Sequence, residues 1–90
     1  MFAWDERKRL ANVRKHGIDF RDAPKIFRGF TLTAEDNRES YGERRLLTLG
    51  LLEDQVVSVA HTEQDEHIRI ISIRKATKHE ARFYFSQITD

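Results

Sequence analysis

The sequence predicts an α+β domain with two N-terminal helices, a four-stranded antiparallel sheet and a C-terminal helix packed on the sheet. Three observations predict this class: helix-capping patterns near both ends of the chain, two-residue hydrophobic periodicity from about residue 30 to residue 74, and short polar loops between the later strands. The 90 residues are enough for one core. We therefore predict a single domain over residues 1–90.

The first helix is predicted from Asp5 to His16, after a segment at residues 2–4 that can form a short strand. An aspartate is a favourable N-cap, and Gly17 provides the left-handed residue that commonly ends a helix. Leu10 and Val13 are expected to form the apolar face of this helix.

The second helix is predicted to end near Gly29, with Ile26 and Phe27 directed inward. Its start is open between two positions. Asp19 can cap it, but Pro24 then removes a backbone hydrogen bond early in the helix, so a start capped by Asp22 is the alternative.

Four strands follow, because β-branched residues increase and apolar residues alternate with polar ones. They are predicted in the segments GFTLTA, ERRLLTLGLL, QVVSVAHT and HIRIISIR, which end at residues 34, 52, 62 and 74. The loops around residues 53–54 and 64–66 are short, and short loops indicate an antiparallel meander.

The C-terminal helix has the clearest local signal in the chain. Thr77 and Glu80 form a capping-box pattern, in which each side chain accepts a hydrogen bond from the other residue's backbone N–H. Apolar residues then recur at helical spacing, which predicts that one face of the helix packs on the sheet.

Composition and charge limit the classes of function. Cysteine is absent, which excludes disulfides and thiolate metal sites, and we find neither a bilayer-spanning segment nor a secretory leader. We therefore expect a cytoplasmic protein. Counting Lys and Arg against Asp and Glu, residues 1–30 carry +4, residues 31–66 carry −6 and residues 67–90 carry +3. If the two basic ends meet in the fold, they suit a polyanion or an acidic partner.

The segment IRIISIRKAT at residues 68–77 raises the main functional question, because cations interrupt a strand that is otherwise apolar. If the last two strands form a hairpin with His61 opposite His67, one sheet face gathers histidines and a guanidinium at its edge. That face is predicted to contain Val57, Val59, His61, His67, Arg69, Ile71 and Ile73, with Glu63 and Lys75 nearby.

Such a group of side chains has the chemistry for cutting RNA without a metal. The reaction needs a base for the 2′-hydroxyl proton, an acid for the leaving oxygen and cations for the phosphate. His61 or Glu63 can transfer protons, and Arg69, Arg74 and Lys75 can stabilise charge.

Structural roles compete with this interpretation. Arg69 could simply pair with Glu63 or Asp65 across the hairpin. Strict alternation also directs Arg74 to the face opposite Arg69, so the two cations act together only if the end of the strand twists. Trp4, Tyr41 and Tyr84 could stack on bases, although core packing is the better interpretation for Trp4. The sequence contains no motif for a metal or an organic cofactor, and we predict neither.

The chain resembles the BrnT family of bacterial toxins. The resemblance rests on FAWDERKRLANVRKHGIDFRDAPKIF, YGERR, LGLL, VAHT and IRIISIRKATKHEARFY, which occur in the family's order and spacing over nearly the whole chain. It implies a small ribonuclease toxin of a type II toxin–antitoxin system, with a RelE-like fold and no metal in RNA cleavage. It also implies neutralisation by a BrnA-like antitoxin that carries a ribbon-helix-helix DNA-binding domain. The expected assembly is a heterotetramer of two toxins and two antitoxins, which contacts DNA only through the antitoxin.

The resemblance also carries over to particular residues. Arg69, Arg74 and Lys75 match the IRIIS-x-RKA block, and His61 matches the VAHT segment. These four are the expected catalytic and phosphate-contacting residues, with Glu63 as a candidate base. For RNA binding we expect Tyr84, as a stacking platform, and Arg44, in the YGERR match.

Two other functions remain open at this stage. The chain could be a catalytically inactive module that joins a DNA-binding antitoxin in repression of their operon. It could also bind nucleic acid directly without cutting it, although the acidic middle segment disfavours that interpretation.

Overall fold

The fold is a five-stranded mixed sheet with helices on both of its faces. It was obtained as a computed structural model, which describes residues 1–40 and 42–88. In chain order the elements are β1 (Phe2–Trp4), α1 (Glu6–His16), a 3-10 turn (Phe20–Asp22), α2 (Ala23–Arg28), β2 (Leu32–Glu35), β3 (Leu46–Leu52), β4 (Gln55–Gln64), β5 (His67–Lys75) and α3 (Lys78–Ser86). The α+β class predicted from the sequence is confirmed, whereas the architecture differs in its sheet and second helix.

The sheet has the strand order β1-β5-β4-β3-β2. β2 to β5 form the predicted antiparallel meander. The prediction of only four antiparallel strands is wrong, because β1 adds a fifth strand parallel to β5, with Phe2 opposite Ile68. Three residues without alternating polarity are too few for sequence periodicity to reveal such a pairing.

The second predicted helix is divided into two pieces. Asp19 caps the 3-10 turn by accepting a hydrogen bond from the Arg21 N–H, and α2 begins only after Asp22. Pro24 lies in the first turn of α2, where its missing N–H costs no intrahelical bond. Each candidate start position therefore precedes a helical element: Asp19 precedes the 3-10 turn, and Asp22 precedes α2.

Helix α1 has the predicted caps, but its predicted apolar face is wrong. Leu10 and Val13 are 45% and 37% exposed, and the buried residue is Asn12. The Asn12 amide donates to the carbonyls of Ile18 and Ile73 and accepts from the Ile73 N–H. This buried polar side chain holds the helix against β5, so hydrogen bonding replaces the expected apolar contact.

The core lies between the sheet and the segment that runs from Ile18 through α2. Its buried apolar members are Ile18, Phe20, Ala23, Ile26, Val57, Val59, Ile70 and Ile73. On the other side of the sheet, α3 begins with the predicted capping box at Thr77 and Glu80. Tyr84 fixes this helix by donating a hydrogen bond of 2.6 Å to the Phe30 carbonyl.

The predicted register of the β4–β5 hairpin is wrong. The predicted hairpin pairs His61 with His67, but the turn is only two residues long and His67 pairs with Gln64. Asp65, the first residue of that turn, has a φ of +58°. Aspartate tolerates this left-handed conformation better than most residues, which permits the tighter turn.

Candidate functional site

An irregularity in the β4–β5 ladder determines which side chains of β5 share a face. His61 pairs with Ile70, whereas its neighbour Ala60 pairs with Ser72. Ile71 is therefore an extra residue on β5, as in a β-bulge. The bulge reverses the alternation of β5 after Ile71.

The reversal brings Arg69 and Arg74 to the same face of the sheet. Arg69 lies opposite Thr62, and Arg74 lies opposite Ser58, two positions of β4 that are an even number of residues apart. Strict alternation predicts that the two arginines point to opposite faces, and the bulge shows that expectation to be wrong. We call the side that carries them the open face.

The open face has a floor of small side chains. Its central positions are Ser58, Ala60, Thr62 and Ser72, as the strand register defines them. Ala60, Thr62 and Ser72 are small and half-buried, so a ligand can approach the sheet beside Arg69, whereas Ser58 next to Arg74 is buried. The face is thus suited to an extended anion.

Arg69 and Arg74 differ in how they are held. Arg69 is exposed and makes no hydrogen bond or ion pair with any described residue, so neither Glu63 nor Asp65 pairs with it. Arg74 donates two hydrogen bonds to Glu80, of 2.8 and 3.0 Å. Of the two, Arg69 is the cation whose donors are available to a ligand.

The Arg74–Glu80 pair joins the end of β5 to the start of α3. Glu80 also accepts the Thr77 N–H in the capping box. The hydrogen bonds from Arg74 lower the pKa of Glu80 from 4.5 to about 2, so the carboxylate stays ionised well into the acid range. Arg74 therefore has a structural role besides any contact with a ligand.

His61 lies on the face opposite Arg69, because it pairs with Ile70. Its side chain is fully buried, with the Phe27 ring 5.3 Å away in an edge-on arrangement. Nδ1 lies 3.5 Å from the Glu63 carboxylate but has no hydrogen-bond partner within the described part of the chain. The structure thus separates His61 and Glu63 from the predicted phosphate-binding arginines.

A polar chain runs from His61 across the next two strands. Nε2 shares a hydrogen bond of 2.7 Å with the Thr48 hydroxyl, which shares another of 2.7 Å with Thr33. Burial lowers the pKa of His61 below its ordinary value of 6.5, and the nearby Glu63 carboxylate offsets only part of that effect. The buried imidazole is therefore held in its neutral form.

The other predicted site residues are dispersed. Lys75 is exposed at the end of β5, and Arg44 pairs with Glu35 at 3.3 Å before β3. Tyr84 is 1% exposed, so its ring offers no surface on which a base could stack. Tyr41, the other candidate for base stacking, lies outside the described residues.

A pocket of about 370 Å³ opens on the open face, at the turn end of the β4–β5 hairpin. Its lining combines a carboxylate, an imidazole and a guanidinium; the full set is Ala3, Glu43, Thr62, Gln64, Asp65, His67 and Arg69. Glu43 was not predicted, and its only sequence signal is its place in YGERR. His67 is two residues before Arg69 on β5, a spacing that predicts a shared face.

A further surface lies near the open face. An apolar groove of about 330 Å³ runs between α3 and the β2–β3 edge, with Leu32, Leu47, Leu49 and Phe83 in its lining. Its apolar surface is the type that a protein partner buries.

The basic ends of the chain meet, as a polyanion site would require. Helix α1 packs against β5, and a shallow depression there is lined by Lys8, Lys15 and His16 together with Ile71 and Ser72. Ser72 belongs to the floor of the open face, so this depression adjoins it. Lys8 and Lys15 therefore place positive charge beside Ser72.

Over residues 1–40 and 42–88, no three His, Asp or Glu residues are grouped closely enough to hold a metal ion. None of the helices in these ranges is long and apolar enough to span a membrane.

Comparison with known proteins assigns a family. The family model described as the ribonuclease toxin, BrnT, of type II toxin–antitoxin systems matches residues 4–80, which is most of the chain and includes the strands that form the open face. No curated protein matches the chain.

Proposed function

The chain belongs to the BrnT family of ribonuclease toxins of type II toxin–antitoxin systems, and we propose that it cuts RNA without a metal. The 2′-hydroxyl of one nucleotide attacks the adjacent phosphorus, the bond to the 5′-oxygen breaks, and a cyclic phosphate and a 5′-hydroxyl remain. Cleavage of cellular RNA would then inhibit translation and growth in the cytoplasm.

The observation that carries this proposal is the shared face of Arg69 and Arg74. A pentavalent phosphate gains negative charge in the transition state, and guanidinium groups stabilise such charge with paired donors. Arg69 has no partner among the described residues, so its donors need not be released before RNA binds. We assign Arg69 to the reacting phosphate and Arg74 to a neighbouring one.

The remaining predicted residues receive different roles in this proposal. His61 and Glu63 lie on the opposite face or at its rim, and we assign them to the stability of the sheet. Lys75 and Arg44 are exposed cations that can contact the RNA backbone away from the reacting phosphate. Tyr84 anchors α3 through its hydrogen bond to Phe30.

The test is cleavage of total RNA by the purified protein in EDTA. Arg69→Ala should reduce the rate by about 10²–10³-fold, the loss typical of removing a transition-state donor. Arg28→Ala is the matched control, because it removes an exposed arginine from α2 on the other side of the sheet. Its rate should equal that of the wild type.

Three results would contradict parts of this proposal. Full activity in Arg69→Ala would refute the phosphate assignment. Products with 5′-phosphate ends would exclude attack by the 2′-hydroxyl. Cleavage that stops in EDTA and returns with a divalent cation would refute metal independence.

The partner in this proposal is a BrnA-like antitoxin with a ribbon-helix-helix domain. Two toxins and two antitoxins would form the complex, and DNA would be contacted only through the antitoxin. The family's type II mechanism supports a protein antitoxin. Light scattering of the co-expressed pair would measure the stoichiometry, and a mass other than that of a heterotetramer would reject it.

A second candidate function is a catalytically inactive module that joins the antitoxin on the operator. The pairing of Arg74 with Glu80, the burial of His61 and the apolar groove beside α3 favour this alternative. In that case a folded wild-type protein would leave RNA intact, and the isolated gene would be tolerated by cells without its antitoxin.

A further inference from the structure

The pocket at the turn end of the β4–β5 hairpin contains all the chemical groups that RNA cleavage through the 2′-hydroxyl requires. Glu43 contributes a carboxylate, His67 an imidazole and Arg69 a guanidinium to the same lining. Its volume of about 370 Å³ lies within the range of roughly 300–1,000 Å³ that small-ligand sites have. One nucleotide unit is a ligand of this class.

The strand register explains why these groups converge. His67 and Arg69 are two residues apart on β5, before the bulge, and pair with Gln64 and Thr62 of β4. Ala3 of β1 lies beside Arg69 and adds only a methyl group, so the neighbouring strand leaves the guanidinium accessible. Glu43 reaches the pocket from the segment that leads into β3.

These three groups are not committed to strong contacts elsewhere. Arg69 and His67 have no hydrogen bond or ion pair with any residue in the described ranges. The Glu43 carboxylate is 44% exposed and lies 3.8 Å from the Arg45 guanidinium, which is an ion pair without a hydrogen bond. Side chains with so few contacts can change conformation when a substrate binds.

Resting on the proposed function, we propose that this pocket is the reaction centre, with Glu43 as general base, His67 as general acid and Arg69 on the phosphate. The Glu43 carboxylate takes the proton from the 2′-hydroxyl as the 2′-oxygen forms its bond to phosphorus. The bond from phosphorus to the 5′-oxygen breaks, and His67 gives its proton to that oxygen. The products are a 2′,3′-cyclic phosphate and a 5′-hydroxyl, and no oxidant or other reactant is needed.

The roles follow from the two kinds of group. An ionised carboxylate only accepts protons, so it suits the attacking hydroxyl. A protonated imidazole is a hydrogen-bond donor, so it can give a proton to a leaving alkoxide. This pair also replaces His61 and Glu63, which the bulge leaves on the other face.

Asp65 provides a matched control, because its carboxylate lines the same pocket but lies in the turn. A second carboxylate repels the phosphate and has no part in the proposed proton transfers. If Glu43 acts only through its charge, Glu43→Gln and Asp65→Asn should have the same effect. If Glu43 is the base, only Glu43→Gln should lose activity.

The experiment measures single-turnover cleavage of an RNA oligonucleotide that contains a site cut in total RNA. Glu43→Gln and His67→Gln should each reduce the rate by about 10²–10⁴-fold. Both should still bind the same oligonucleotide with 2′-O-methyl groups, because Arg69 is intact. Asp65→Asn should cut at least as fast as the wild type.

A second substrate separates the acid from the base. In an RNA whose 5′-bridging oxygen at the cut site is replaced by sulfur, the leaving thiolate needs no proton. This substrate should restore the rate of His67→Gln to that of the wild type and leave Glu43→Gln impaired. Rescue of Glu43→Gln alone would reverse the two roles and overturn the assignment.

The failure of this assignment is distinct from the failure of the proposed function. If the wild type produces cyclic phosphate ends while folded Glu43→Gln and His67→Gln cut normally, the ribonuclease proposal stands and this reaction centre is refuted. If the folded wild type leaves all RNA intact, the ribonuclease proposal is refuted, and the reaction centre with it.

Discussion

His61 shows how burial can prevent a reactive side chain from taking part in catalysis. It lies in the core with one nitrogen bound to Thr48 and the other beside Glu63. Because burial lowers its pKa, the folded protein resists protonation at a pH at which the unfolded chain accepts it. Stability should therefore depend on pH through this residue.

We expect the free energy of unfolding to fall as the pH drops below 6.5, the ordinary pKa of His61. The unfolded state binds the extra proton there, so the loss is at most about 1.4 kcal/mol per pH unit, and the full stability is present above that value. In His61→Gln, an amide can still bond to Thr48 but does not titrate. Urea unfolding from about pH 5 to pH 8 should show a smaller slope for the variant. Equal slopes would assign the dependence to other groups.

The sequence identified Arg69 as a candidate site residue but did not show which residues each arginine contacts. Cations inside an apolar strand are visible in IRIISIRKAT, and Arg69 does lie on an accessible surface. The partners of each arginine depend on tertiary geometry. Arg74 reaches Glu80 only because α3 starts directly after β5, and nothing in the strand pattern distinguishes it from Arg69.

At the scale of elements, the fold depends on close contact between α2 and β3. A Cβ added at Gly50 of β3 would lie 2.8 Å from Cγ2 of Ile26 and 3.2 Å from Cγ2 of Thr31. Ile26 is fully buried, so it has no free space into which it can move. Glycine at position 50 lets the helix approach the sheet.

Gly50→Ala should therefore destabilise the protein by about 1–3 kcal/mol, as overpacking of a core does. Gly29→Ala is the control, because a Cβ there meets only the Ile26 carbonyl oxygen at 3.9 Å, and it should change stability by less than about 0.5 kcal/mol. Chemical denaturation would compare the two variants. If Gly29→Ala loses as much stability as Gly50→Ala, backbone effects and not the contact with Ile26 cause the destabilisation.

Elements were more predictable than the pairing between them. The caps of α1 and the capping box of α3 are local patterns, and both are present as predicted. The bulge at Ile71 has no such pattern, because an extra isoleucine in an apolar strand does not alter its hydrophobicity. The two-residue turn lacks the usual Asn-Gly or Asp-Gly pair, so the register could not be read from it.

For the whole molecule, the distribution of charge matters more for binding a polyanion than the net charge of +1 does. The prediction that basic ends suit a polyanion required those ends to meet, and β1 and α1 do pack against β5. Lys8 and Lys15 of α1 line a depression that adjoins the floor of the open face at Ser72. In the proposed function, a single strand of RNA bound at Arg69 would continue along this surface.

Lys8→Ala/Lys15→Ala should therefore raise KM for RNA and leave kcat unchanged, since these lysines are away from the reacting phosphate. The dependence of log KM on log salt should decrease by about 0.7 for each RNA phosphate that the variant no longer neutralises. Steady-state kinetics at several salt concentrations would measure both quantities.

Lys25→Ala/Arg28→Ala removes the same charge from α2 and serves as the control. If both double variants change KM equally, net charge alone explains the effect, and the proposed path along α1 is refuted.

The parallel pairing of β1 with β5 also determines when the domain can be completed. The N-terminal ammonium donates to the carbonyl of Glu66, a residue 65 positions later in the chain. A ribosome releases β1 first and β5 only after nearly all the other elements, so the sheet cannot close early in translation. Arg69 lies on that late strand. A nascent chain therefore lacks the finished open face until β5 has left the ribosome.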